Sequence, residues 1–309
     1  MKSVTDSRFA LGVVFVIIAL PLLLALREAT MFVAANRSTG TITSSGERRE
    51  YNLYISPSYD RKKPAPLVIS LHGAGMWGAS HEATSGWDRV ADQHGFIVVY
   101  PTGVSGNGPH IWRENEGAGL AKDVTFIADL IDSLSASYQI DQRRVYVNGL
   151  SNGGGMSFAL SCLLPERIAA VGMVGAAQLL PFSWCPSTRP VPMIDFHGTA
   201  DLQIPYYGGS SWVAPTGFPN VRTWTTQWAA RNRCQATPTD SAVARDVTRR
   251  AYGRCADDAD VVLYTIQGGG HTWPGGGYLP AWLVGRTTRS IDASSVMWAF
   301  FEEHPSRGR

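Results

Sequence analysis

The 309-residue sequence lacks a strong charge of either sign: 27 Lys and Arg face 25 Asp and Glu, a net of +2. A chain this close to neutral has no basic stripe for nucleic acid and no field that would hold it on an acidic membrane surface. Gly and Pro are plentiful, at 32 and 18, yet show no G-X-Y period, so a collagen-like rod is excluded. Charged residues are only 17% against 44% hydrophobic, which excludes disorder as the main state. Cysteine is scarce, four in all, and none forms a CxxC, so zinc-ribbon and thioredoxin readings have no support. No set of residues has metal-ligand spacing, and neither a metal nor another cofactor is expected.

Long apolar runs are also scarce, and the one present is informative. Lys2 and Arg8 precede an unbroken apolar stretch from Phe9 to Leu26. A basic start followed by such a stretch is an export signal, and its 18 residues are also just enough to span a bilayer. Val33-Ala34-Ala35 offers a cleavage site, although Arg27 and Glu28 stand before it. Residues 1–35 are thus expected to be a cleaved signal or an uncleaved anchor, followed by a linker over 36–46 and one catalytic domain over 47–306. The body is expected to be secreted, extracellular or periplasmic. If the segment stays uncleaved, the body is held at the outer face of the cytoplasmic membrane. Asn36-Arg37-Ser38 is formally a glycosylation sequon. Export suits the even number of cysteines, which allow three pairings; the two short loops favour Cys162–Cys185 and Cys234–Cys255.

From residue 50 onward short β-rich runs alternate with helical patterns. Strands are expected at 50–56, 66–71, 95–100, 145–148, 168–175, 191–196 and 260–266. Continuous apolar runs suit parallel strands buried on both faces. Val124, Ile127, Ile131 and Leu134 form a helical stripe that Asp123 is expected to cap. Weaker helices are expected at 87–94, 157–164, 221–231 and 291–304, and a loop or lid at 203–219. The alternation predicts an α/β domain with a mostly parallel sheet and helices on both faces.

Three short motifs carry chemistry. Gly149-Leu150-Ser151-Asn152-Gly153 lies directly between an expected strand and an expected helix. That context exposes a serine hydroxyl above the sheet on a sharp turn, at a helix N-terminus that favours developing negative charge. Serine needs a base. Among seven histidines, His271 stands in a glycine-rich loop just past the last strand. His72 and His197 read as loop-structural, and His81, His94, His110 and His304 as surface residues. Asp201 follows another strand and precedes the base, giving the order Ser, Asp, His; its competitor Asp195 lies inside the strand. The small residues of Leu71-His72-Gly73-Ala74-Gly75 suit an oxyanion hole, with the N–H of Ala74 (alternatively Gly73 or Gly75) acting beside that of Asn152.

These blocks together, LHGAG, WRENEG followed by DVTFI, RVYVNGLSNGGGM, DFHGTAD and GGGHTWPGG, resemble the secreted polyhydroxybutyrate depolymerase/LpqC-like esterases. That family stands close to the feruloyl and acetylxylan esterases of carbohydrate esterase family 1. The resemblance covers roughly residues 40–305 and implies an α/β-hydrolase fold and carboxylic ester hydrolysis. It supports Ser151, Asp201 and His271 by motif position and makes a Cys234–Cys255 bridge plausible. Two departures stand out. Ala74 occupies a position where related sequences often carry Cys, and the elbow runs Gly153-Gly154-Gly155, one glycine longer than usual. The substrate class implied is an ester, either a polyhydroxybutyrate-type polyester or a feruloyl or acetyl ester of polysaccharide. Trp77, Trp112, Trp184, Trp212, Trp273 and Trp282 fall in expected loops and could stack on it. A serine peptidase of the same fold would need an anchor for a peptide amine, and none is apparent. A catalytically silent binding protein would not need three intact catalytic groups.

Overall fold

A computed structural model describes residues 38–105, 108–114, 117–277 and 279–307. The apolar run Phe9–Leu26, the Val33–Ala35 site and Asn36-Arg37 lie outside them. Among the described residues no helix is long and apolar enough to cross a membrane.

Among the described residues ten strands form one sheet: β1 (Gly40–Ser44), β2 (Glu47–Ile55), β3 (Ala65–Leu71), β4 (Ile97–Pro101), β5 (Ile140–Leu150), β6 (Ala170–Val174), β7 (Met193–Gly198), β8 (Thr239–Ala244), β9 (Val247–Tyr252) and β10 (Val261–Ile266). Their spatial order is β1-β2-β4-β3-β5-β6-β7-β10-β9-β8. The six from β4 through β10 run parallel, and two antiparallel strands finish each edge. β3, β4, β6, β7 and β10 are buried throughout, which is why they read as unbroken apolar runs.

The described residues also form seven α-helices: α1 (Gly78–Ser85), α2 (Trp87–His94), α3 (Ala118–Ser137), α4 (Asn152–Leu163), α5 (Val221–Arg231), α6 (Ala281–Val284) and α7 (Ala293–Glu303). Alternating strand residues split the core in two. Leu67, Ile69 and Leu71 pack with Phe126 and Ile127 of α3, Met156 and Phe158 of α4, and Trp224 and Trp228 of α5. Val68 and Val98 pack on the opposite face with Trp87 of α2 and Met297 and Phe301 of α7. The fold is the α/β-hydrolase fold, and the parallel strands aim their C-terminal ends at one rim, where ligands bind in such sheets.

Several expectations need correction. The supposed linker 36–46 contains β1, paired along its length with β2. β8 and β9 were not expected; β8 is exposed along most of its length and has no apolar run to reveal it. Asp123 does not cap α3, which starts five residues earlier. It is buried inside the helix, bonded to Arg49 (2.8 Å) and Arg113 (2.7 Å). Its charge fixes α3 to β2, a partnership no local pattern could show. Both disulfides, Cys162–Cys185 and Cys234–Cys255, are present. Each closes a loop of just over 20 residues, worth about 3 kcal/mol on the chain-entropy model.

Candidate active site

Ser151 is the single residue between β5 and α4. Its φ of 55° and ψ of −119° are a left-handed-side backbone that a side chain rarely adopts. The turn is held by backbone bonds: Ser151 N–H donates to Val174 O (2.9 Å), and Ser151 O accepts from Gly155 (3.0 Å) and Ala177 (3.0 Å). Its glycines answer close approaches. A Cβ at Gly149 would strike the Gly153 backbone, and one at Gly153 would strike the Leu71 and His72 carbonyls.

Asp201 and His271 meet. His271 Nδ1 lies 2.7 Å from Asp201 Oδ2, and both side chains are buried. The other oxygen, Oδ1, accepts from Gln203 N and Ile204 N, each at 2.9 Å. Burial pushes this carboxyl up, but the His271 hydrogen bond and charge outweigh it and leave the pKa below the ordinary carboxylate value. The loops carrying the pair touch where Gly198 packs on the carbonyls of Gly269 and Gly270. Ala200 N–H donates to Gly269 O (2.9 Å). The His271 N–H donates to Val284 O (2.6 Å) from α6. Gly175 lies under the pair: a Cβ there would stand 3.1 Å from His271 Nδ1 and 3.3 Å from Asp201 Oδ2. Gly175 follows Val174, the residue that holds Ser151. The chain therefore brings Asp201 and His271 into direct contact over Gly175, the residue that follows the end of β6 to which Ser151 is bonded.

Among the remaining histidines, His72, His81, His197 and His304 are buried and hydrogen-bonded elsewhere. His72 bonds to Gly73 O through Nδ1 (2.8 Å) and accepts the Gly103 N–H at Nε2 (2.8 Å). Burial pushes it down to about 4, and the two hydrogen bonds hold the ring in place. His197 Nε2 donates to Ile204 O (2.9 Å) and stands 3.6 Å from Asp201. Both serve the loops, as their place at strand ends suggested. His81 and His304 are buried rather than superficial. His81 bonds to Ser70 through Nε2 (2.9 Å), and burial lowers it to about 3.

The Leu71–Gly75 loop faces the serine: a Cβ at Gly73 would lie 3.4 Å from Ser151 Cβ. The Gly75 N–H is spent on His110 O (2.9 Å), which removes it from the three alternatives for the oxyanion donor. Asn152 opens α4, so its N–H is one of the four that an α-helix leaves without an internal partner. Its side chain is fully engaged. Oδ1 accepts from Trp112 N (2.6 Å), and Nδ2 donates to Trp112 O (3.0 Å) and Glu114 Oε1 (2.7 Å).

Glu114 was not expected as a site residue. Its signal was the extra glycine: the buried Glu114 Oε2 and the Ala177 carbonyl occupy the space a Cβ at Gly155 would need. Trp112 and Trp273 are buried and cannot stack on a ligand, whereas Trp212 and Trp282 are 73% and 85% exposed. Two open depressions lie in the loops after β4 and β6. One, of about 550 Å³, is lined by charged residues including Glu47, Arg48 and Arg113. The other, of about 410 Å³, is lined mainly by apolar ones such as Leu179, Phe182 and Trp224.

Residues 49–179 match the family described as Esterase PHB depolymerase. Feruloyl esterase B of Piromyces equi is 31% identical over 215 residues, 68% of this chain and 40% of its own length. Poly(3-hydroxyalkanoate) depolymerase C of Paucimonas lemoignei is 29% identical over 245 residues, 68% of this chain and 55% of its own length. This chain thus spans less than two thirds of either relative. The solved acetyl xylan esterase from Aspergillus awamori superposes with a TM-score of 0.58 over 75% of this chain and 93% of its own, at 19% identity, a likeness of fold. Residues 49–179 thus resemble the esterase PHB depolymerase family, and the chain has the α/β-hydrolase fold that the acetyl xylan esterase shares.

Proposed function

We propose that the protein is an exported serine esterase in which Ser151 is the nucleophile, His271 the base and Asp201 the residue that orients it. The observation that carries this reading is the 2.7 Å contact between His271 Nδ1 and Asp201 Oδ2 beside the serine turn. With Nδ1–H bonded to the carboxylate, the neutral imidazole offers Nε2 as a proton acceptor. Ser151 Oγ attacks the ester carbonyl as its proton passes to His271. The oxyanion is met by the N–H groups of Ala74 and Asn152. Collapse expels the alcohol, which takes the proton from His271, and leaves an acyl-serine. Water then repeats the sequence and releases the acid.

The substrate is an ester of a bulky or polymeric partner, either a polyhydroxybutyrate-type polyester or a feruloyl or acetyl ester of polysaccharide. Support comes from the exposed Trp212, in the loop after Asp201, and Trp282, in the helix whose Val284 carbonyl takes the His271 N–H, and from the relatives' names. Two disulfides support an oxidising compartment. The test is hydrolysis of p-nitrophenyl acetate, a feruloyl ester and an amide by the protein and by Ser151→Ala. Cleavage of both esters, lost in the variant, is expected. Amide cleavage of equal rate would make the enzyme a peptidase, and no cleavage of any of them would sink the esterase reading.

A further inference from the structure

One strand of chain, His110–Glu114, touches both sides of the presumed oxyanion hole. On the Leu71–Gly75 side, His110 O accepts the Gly75 N–H (2.9 Å) and the Trp112 indole donates to His72 O (3.1 Å). On the α4 side, Trp112 and Glu114 take all three hydrogen bonds described for the Asn152 amide. The segment is itself anchored from outside. Arg113 bonds to Asp123 of α3 (2.7 Å) and Glu47 of β2 (3.0 Å), and Ile111 N donates to Val104 O (2.9 Å). Such a brace sets the spacing between two backbone donors that belong to different elements.

Glu114 is its terminal clamp. The side chain is buried, and Oε2 has no hydrogen-bond partner among the described residues. A carboxyl buried with one oxygen unpaired is costly, a cost that a hydrophobic residue in its place would not carry. Burial pushes the Glu114 carboxyl well above the ordinary carboxylate range, against the opposing effect of the Asn152 bond. The elbow accommodates it by omitting a side chain at Gly155.

We propose that Glu114 is a positioning residue for the oxyanion hole: through Asn152 it holds the first N–H of α4 at a set distance from the N–H groups of the Leu71–Gly75 loop. It touches no substrate. The proposal rests on the serine-esterase reading above.

The experiment compares Glu114→Leu and Glu114→Gln with the unaltered protein on p-nitrophenyl acetate, with Ser151→Ala as the control. Leucine fills the site and removes the acceptor, so thermal stability is expected to hold or rise. Its kcat is expected to fall roughly 30- to 100-fold, the scale of a misplaced donor, with KM within about threefold. Glutamine keeps an oxygen facing Asn152 and should bring kcat back to within about fivefold of the original. A folded leucine variant that keeps kcat within about threefold, or one that loses only KM, overturns the proposal. A glutamine variant as slow as the leucine one does the same. Should the leucine variant not fold, Glu114→Ala is read by the same criteria. Full activity in Ser151→Ala would instead overturn the esterase reading on which the proposal stands.

Discussion

The two sides of the serine turn are built differently. On the Leu71–Gly75 side His72, Trp112, Asn152 and Asp123 are buried and hydrogen-bonded, and the half-buried Arg113 joins Asp123 to this set. On the side of Asp201 and His271 the pair itself is buried, but the loops around it expose Leu202, Tyr207, Trp212 and Trp282. The first side is where charge would develop on the carbonyl oxygen, and preorganised donors there need not move during reaction. The second side opens outward, where substrates differ from one another. On the proposed mechanism this is a division of labour: a hydrogen-bonded framework beside the oxyanion, exposed contact area beside the base.

The largest effect should come from removing what both sides serve. Ser151→Ala should lower kcat/KM by about 10⁵-fold while leaving thermal unfolding unchanged, since alanine meets the same backbone strain. Steady-state kinetics on p-nitrophenyl acetate measure it, and a loss under tenfold would move the nucleophile elsewhere. Asp201→Asn tests the second side alone. It should cost about 10³- to 10⁴-fold in kcat, because an amide can bond to the wrong imidazole tautomer. A similar loss in KM with kcat intact would mean that Asp201 shapes the binding surface.

Glycines compare the rigidity of the two sides directly. Gly155→Ala places a methyl against Glu114 and Ala177 and should destabilise by roughly 3 kcal/mol. Gly268→Ala, at φ 63° with only the end of Arg286 near, should cost about 1 kcal/mol, from backbone strain alone. Chemical denaturation of both variants reads the difference, and equal losses would erase the contrast in packing.

Two aspartates on the second side give a test by pH. Asp201 has His271; Asp195, six residues back in β7, has no hydrogen-bond partner for either carboxylate oxygen among the described residues, and burial pushes it up to about 7. A carboxyl whose folded pKa is raised costs nothing below its unfolded value near 4. It destabilises progressively as pH rises toward 7 and fully above that. Asp195→Asn should therefore gain a few kcal/mol more, relative to the unaltered protein, at pH 8 than at pH 4. Melting curves at the two pH values decide it, and a pH-independent difference would mean that Asp195 ionises as readily in the folded protein as in the unfolded chain, its pKa not raised by burial.

Ser151, Asp201 and His271 stood out in the sequence because each ends or follows an apolar strand in a motif with glycine beside it. Glu114 did not, because its importance comes from burial and from Asn152, 38 residues away. Asp123 was misread as a cap for a similar reason: its partners Arg49 and Arg113 lie on other segments. Local pattern reports the period of an element. It does not report which remote charge the element buries, nor that Trp112 and Trp273 turn inward while Trp212 and Trp282 turn out.

The smallest effect should come from those two exposed tryptophans, and it is the one that would define the second side. Trp282 lies in α6, two residues from Val284, whose carbonyl holds the His271 N–H. Trp212 lies in the loop that follows Asp201. Rings this exposed lose little when truncated in the free protein, so stability should stay within about 0.5 kcal/mol. A bulky ester that covers them should lose about 1 kcal/mol per ring, raising KM roughly fivefold for each alanine variant. A small ester such as p-nitrophenyl acetate reaches neither ring and should be cleaved with unaltered kcat and KM. The comparison is a ratio of kcat/KM values, feruloyl ester against acetate, for Trp212→Ala and Trp282→Ala. A fall in both substrates together would make Trp282 a support for the His271 loop. No change in either would leave the exposed side without a role in recognition and break the contrast between the two sides.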